Sequence, residues 1–196
     1  MGFLTDHKKT IMAGFILLAI ILGAAVGTGG NMPGLYDFSR YFHVLAGIVW
    51  IGLLYYFNFV QVPSLGGVTP ETKADIFKDG SIVRRALFWF RMGAHATLLF
   101  GLILYYGLIK NELDHAGGID IMIGATFAII MWFNVTFIIW PNQKKVIGVV
   151  EADADTKAAA GKKALMASRI NTLLSIPMLF LMFASTHFPI FAPLAE

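Results

Sequence analysis

The chain alternates between long apolar runs and short polar breaks. Five runs stand out, over residues 10–27, 41–62, 86–109, 119–140 and 169–188. Each has about the length a helix needs to cross a bilayer core, roughly 20 residues. None alternates with a period of two, so nothing in the pattern calls for strands. Gly29, Gly30 and Pro33 break the chain after the first run, and Pro63, Gly66, Gly67 and Pro70 break it after the second. Pro141 is expected to end the fourth, because its ring cannot continue an interior helical ladder. The pattern predicts an all-α integral membrane protein, a single-domain bundle of about five transmembrane helices over 1–196 with no internal repeat. Residues 142–168, rich in Ala, Lys and Asp, are expected to form a separate helix on the membrane surface.

Composition sharpens this picture. Apolar residues make up 57% of the chain and charged residues 14%, where a soluble domain would carry about 25% charged. The net charge of +3 comes from loops flanking the apolar runs, so it is no nucleic-acid signal. The absence of cysteine excludes iron–sulfur clusters, covalently attached c-type haem, disulfides and thiol nucleophiles. Any metal or haem must then be held by His, Met, Asp, Glu or Tyr. Asp6, His7, Lys8 and Lys9 precede the first run, which reads as a retained anchor helix because no convincing cleavage site follows.

Lys and Arg set the orientation. Lys8, Lys9, Lys73, Lys78, Arg84, Arg85, Lys144, Lys145, Lys157, Lys162, Lys163 and Arg169 fall on one side of the proposed bundle, and only Arg40 and Lys110 on the other. Cytoplasmic loops carry the excess of Lys and Arg. The expectation is a multi-pass protein of the bacterial inner membrane, N-terminus cytoplasmic and C-terminus outside, with lysines near anionic headgroups.

Polar residues inside apolar spans mark candidate sites. By depth, His43 and His187 both lie near the outer face and make the best-matched axial pair for a haem b; His95 lies nearer mid-span as a further candidate ligand. His115 falls in the outer loop. The bland alternative for each is an interfacial histidine bonded to a backbone carbonyl. A second cluster lies toward the cytoplasmic side: Asn58 and Gln61 share a face, Arg91 and His95 share another, and Asn134, Arg169 and Asn171 sit at similar depth, with Asn142 and Gln143 nearby. Arg offers a planar fork of donors, and Asn or Gln both donors and acceptors, a set suited to a flat anionic heterocycle. The alternative is interhelical bonding with arginines reaching to phosphates. No residue declares itself catalytic. The four Trp carry no role by spacing alone.

Four strings add a resemblance: HVLAGIVWIGLLYYFNFVQVP, RRALFWFRMGAH, WFNVTFIIWPNQKKVIG and SRINTLLSIPMLFLM. Together they resemble the membrane domain of the bacterial membrane-bound urate hydroxylase (urate oxidase) family, over nearly the whole chain from about Phe38 to His187. The resemblance implies oxidation of urate, from purine breakdown, to 5-hydroxyisourate, with electrons leaving through a c-type cytochrome domain. No Cys-x-x-Cys-His occurs here, so a separate cytochrome c or other external acceptor is the expected partner, with association into an oligomer or respiratory complex open. Two other readings stand beside it: a haem-b electron-transfer or assembly subunit, and a haem-free transporter of a small anion or metal.

Overall fold

The structure, a computed structural model, describes residues 2–110 and 117–191. Its described residues form six helices and no strand. They are α1 (His7–Gly27), α2 (Leu35–Ser64), α3 (Pro70–Phe77), α4 (Ile82–Lys110), α5 (Gly118–Val146) and α6 (Ala154–His187). All but the short α3 are long and apolar enough to cross a bilayer. The chain divides into two compact units between Phe38 and Ser39, inside the first turns of α2.

In the first unit, the Asp6 carboxylate accepts the Lys8 and Lys9 backbone N–H groups and starts α1, satisfying donors that a helix leaves orphaned. Gly29, at φ 91°, turns the chain after it, a conformation that costs a glycine nothing.

In the second unit, α2, α4, α5 and α6 surround a core of Trp50, Leu54, Phe57, Phe90, Met131, Val135 and Ile139. Small residues set the closest approaches. A Cβ on Gly93 would lie 3.0 Å from the Trp50 backbone nitrogen, and one on Gly124 would lie 3.4 Å from Leu181 Cβ. Gly117, at φ 95°, opens α5 with its Cα against the Ser185 carbonyl. Asp120 is fully buried in the first turn of α5 and accepts the Ile190 and Phe191 backbone N–H groups, each at 3.4 Å. Facing outward are Ile48, Phe88, Leu99, Ile129, Phe137, Leu173 and Phe180. So much exposed apolar surface marks faces that contact a partner or a membrane.

Two helices contain a widened turn. Residues Tyr56–Gln61 of α2 and Asn134–Ile139 of α5 are π-helical. At their ends Val62 N–H bonds Phe57 O and Trp140 N–H bonds Val135 O, each five residues back. A proline stands two positions after each π segment, Pro63 and Pro141. The wide turn moves the carbonyl that a proline ring would strike, which is why α5 runs on to Val146 instead of stopping at Pro141. The other departure from expectation is α6. The span at 169–188 and the surface helix expected in 142–168 form one helix of 34 residues, about 51 Å long at 1.5 Å per residue. Ala160, Ala164 and Ala167 are buried along its first turns, and no breaker separates them from the apolar part. The helices also start earlier than hydropathy alone indicates, α2 at Leu35 and α4 at Ile82. Their first turns are amphipathic, and a window that averages apolarity passes over them.

Candidate functional site

Among the described residues, two cavities of the second unit lie between helices. The first, about 230 Å³, lies among α2, α4, α5 and α6, against His43, Trp50, Thr97, Gly101, Trp132 and Met182. His43 Nδ1 donates to the Thr97 carbonyl at 2.8 Å, which fixes the tautomer and leaves Nε2 with its lone pair free. Gly101 makes this possible, since a Cβ there would lie 2.9 Å from His43 Cε1. Trp50, only 1% exposed, has an indole N–H with no partner among the described residues.

The other two in-span histidines differ from His43. Trp132 Nε1 donates to His95 Nδ1 at 2.9 Å, so neutral His95 carries its proton on Nε2 and has no free lone pair. His187 is exposed at the end of α6, stacks on Phe183 at 4.0 Å and donates Nδ1–H to the Phe183 carbonyl. It is absent from the lining of the first cavity. His115 lies outside the described residues. Haem b fits this arrangement poorly. The described lining offers one imidazole lone pair, where two axial histidines need two, and no Arg or Lys to meet two propionates.

The second cavity, about 200 Å³, lies at the end of the bundle that carries the lysines, lined by Phe57, Gln61, Lys73, Phe77, Gln143 and Ser168 among others. Gln61 Oε1 is buried here without a partner among the described residues, and so is Asn58 Oδ1. Asn58 reaches this cavity through Ser168, whose hydroxyl accepts its Nδ2 at 2.8 Å. Lys73 is exposed at the mouth.

The rest of the polar cluster is tied between helices. Asn134 Nδ2 donates to Asn171 Oδ1 at 2.8 Å, and Asn171 Nδ2 to the Met131 carbonyl at 2.9 Å. Tyr55 donates to Ser175, whose own proton goes to the Thr172 carbonyl. Ser168, Asn171 and Ser175 thus form a seam along α6 that meets α2 and α5. Asn134 and Asn171 line neither cavity. Asn142 donates to the Ile138 carbonyl of its own helix, and Arg169 is exposed. Arg91 lies with its guanidinium carbon 3.2 Å from the centroid of the Trp140 ring, and Lys144 approaches the same ring at 5.8 Å.

Spacing hid the roles of Trp132 and Trp140. Residues eight apart on a regular helix differ by about 80° in direction, at about 100° per residue. The π-turn between them absorbs one residue, which brings them within about 20° of one another. They therefore meet Arg91 and His95, one turn apart on α4. The signal available in the sequence was the pairing of Phe-Asn with a following proline in both α2 and α5.

These features define an all-α protein of helices suited to a bilayer, with one apolar cavity between helices and one polar-mouthed cavity at its basic end. The profile of the family described as urate oxidase N-terminal matches residues 93–194, more than half the chain, and the chain belongs to that family. No curated protein and no solved structure matches it.

Proposed function

We propose that this chain is a multi-pass protein of the bacterial inner membrane that binds urate at the second cavity and takes part in its oxidation to 5-hydroxyisourate. The family match over residues 93–194 carries this reading, and the chemistry of the cavity supports it. Urate is a flat anion with N–H groups along its edges. Gln61 Oε1 lines the cavity as an acceptor that wants an N–H donor, and an unpaired buried acceptor costs about 1–3 kcal/mol. Phe57 and Phe77 supply apolar walls, and Lys73 a positive charge at the entrance. Gln143 and Ser168 can address the carbonyl edges. With the basic end cytoplasmic, the mouth opens on the side where purine breakdown releases its products.

The test is a urate titration of purified protein. Gln61→Leu keeps the volume and removes the acceptor, and should weaken urate binding about tenfold. Lys73→Ala should weaken it less, and its effect should shrink as salt rises. A wild-type protein that fails to bind urate, or a Gln61→Leu protein that binds it unchanged, overturns the assignment.

A further inference from the structure

We propose that the first cavity binds the head ring of a lipid-soluble quinone. Binding stands apart from the urate reading; only the direction of electron flow rests on it.

The cavity has a sideways mouth. Leu102, Met122 and Ile129 line it and are also exposed on the apolar outer surface, so a ligand enters from among acyl chains rather than from water. Such a ligand must be soluble in the bilayer. The lining carries no charged side chain among the described residues, so the ligand needs no charge. Three polar groups then stand unused among the described residues, the Tyr105 hydroxyl, which can donate or accept, being one. Trp50 offers an unpaired buried indole N–H, and His43 offers the Nε2 lone pair left by its bond to Thr97. The threonines and Trp132 are already engaged: Thr97 donates to the Gly93 carbonyl, Thr126 to the Met122 carbonyl, and Trp132 to His95. His43 and Trp50 lie seven residues apart on α2, on one face and about two turns from each other. A quinone matches this pattern: an apolar ring and tail, with oxygens at opposite ends of the ring.

The tautomer makes the site selective between redox forms. Trp50 can donate to either a carbonyl or a hydroxyl oxygen. His43, protonated on Nδ1, can only accept at Nε2, and so bonds the O–H of a quinol but not the C=O of a quinone. The site holds the reduced form more tightly, which favours reduction of a bound quinone. Joined to urate oxidation, the balance closes. Urate takes its new oxygen from water and gives up two electrons and two protons; the quinone takes up two electrons and two protons and leaves as quinol.

The experiment uses the full chain in detergent, titrated with a short-chain ubiquinone analogue in oxidised and reduced forms, against empty micelles. The reduced form should bind about tenfold tighter. His43→Phe keeps the ring volume and should bring that ratio close to one. Trp50→Phe should weaken both forms alike, and Ala125→Leu, on the cavity wall, should abolish saturable binding of both. Circular dichroism checks that each variant folds. Binding no greater than to micelles, or equal binding by wild type and Ala125→Leu, overturns the proposal. So does a Soret band in the wild type that His43→Phe removes, since the cavity would then hold haem. Urate titration of the same preparations separates the two readings: quinone binding without urate binding refutes the urate assignment alone, and the converse refutes the quinone site alone.

Discussion

Asn171→Leu tests whether the buried amides hold the helices together. Asn171 is fully buried and makes two hydrogen bonds, accepting from Asn134 on α5 and donating to the Met131 carbonyl. Leucine keeps the branching of the amide but is larger, so some overpacking adds to the loss of the polar terms. Interhelical hydrogen bonds in membrane proteins average about 0.6 kcal/mol each and reach about 1.7. Removing one partner also leaves the Asn134 amide buried and unpaired, at about 1–3 kcal/mol. The loss of stability should be about 2 kcal/mol. Reversible unfolding in mixed micelles, with increasing sodium dodecyl sulfate, measures it. The cycle with Asn134→Leu is more decisive. Replacing both partners by apolar groups removes the unpaired amide, so the double variant should be less destabilised than the two singles summed, by about 1 kcal/mol. Strict additivity, or a single variant as stable as the wild type, would show that the amide pair is not a structural bond. Urate affinity should stay at the wild-type value in all three.

Other perturbations have equally definite outcomes. Gly101→Ala puts a methyl 2.9 Å from His43 Cε1, and should displace the imidazole and weaken quinol binding in the same titration. Arg91→Leu removes the guanidinium from the Trp140 face; it should cost about 1 kcal/mol in the micelle unfolding assay and shift tryptophan emission, with Arg91→Lys only a partial rescue because an ammonium does not stack. Gly117→Ala combines a positive φ with a clash against the Ser185 carbonyl, and should destabilise by more than the roughly 1 kcal/mol usual for left-handed glycine. Asp153 caps α6 by accepting the Thr156 backbone N–H at 2.7 Å, which holds its carboxyl below the ordinary range. Its contribution is therefore present above the unfolded carboxyl pKa and lost as pH falls through the lower folded value. Amide exchange at Thr156 should speed up over that window, and in Asp153→Ala it should be fast at every pH.

The long helices were legible in the sequence because apolar length is a strong signal, and five of them are present. Their ends were not, because the π-turn before Pro141 removes the clash that a proline makes in a regular helix, and α6 too runs on through a proline, Pro177. Depth placed Asn58, Gln61, Asn134 and Asn171 in one group. It did not show that Asn134 and Asn171 spend their amides on each other, while Gln61 keeps its oxygen free. The same limit applies to the histidines. Depth ranks His43 and His187 alike, but facing is decided by rotation about the helix axis, and His187 turns onto Phe183. His95 was read with Arg91, which is right, yet its partner Trp132 was invisible until the extra residue in α5 was known.

That extra residue has a bearing on how relatives of this chain should be aligned. A π-turn acts as a one-residue insertion hidden inside a helix. A relative that lacks Thr136, or any one residue of Asn134–Ile139, could keep every flanking residue and still be a regular helix there. Everything beyond the missing residue would then keep its present direction, because the π-turn has already absorbed that residue, and Trp140 would still lie over Arg91. In comparing family members, a single gap at this point would therefore leave the chemistry of the basic end intact, and its cost would fall on Pro141, whose ring would again meet the carbonyl four residues back.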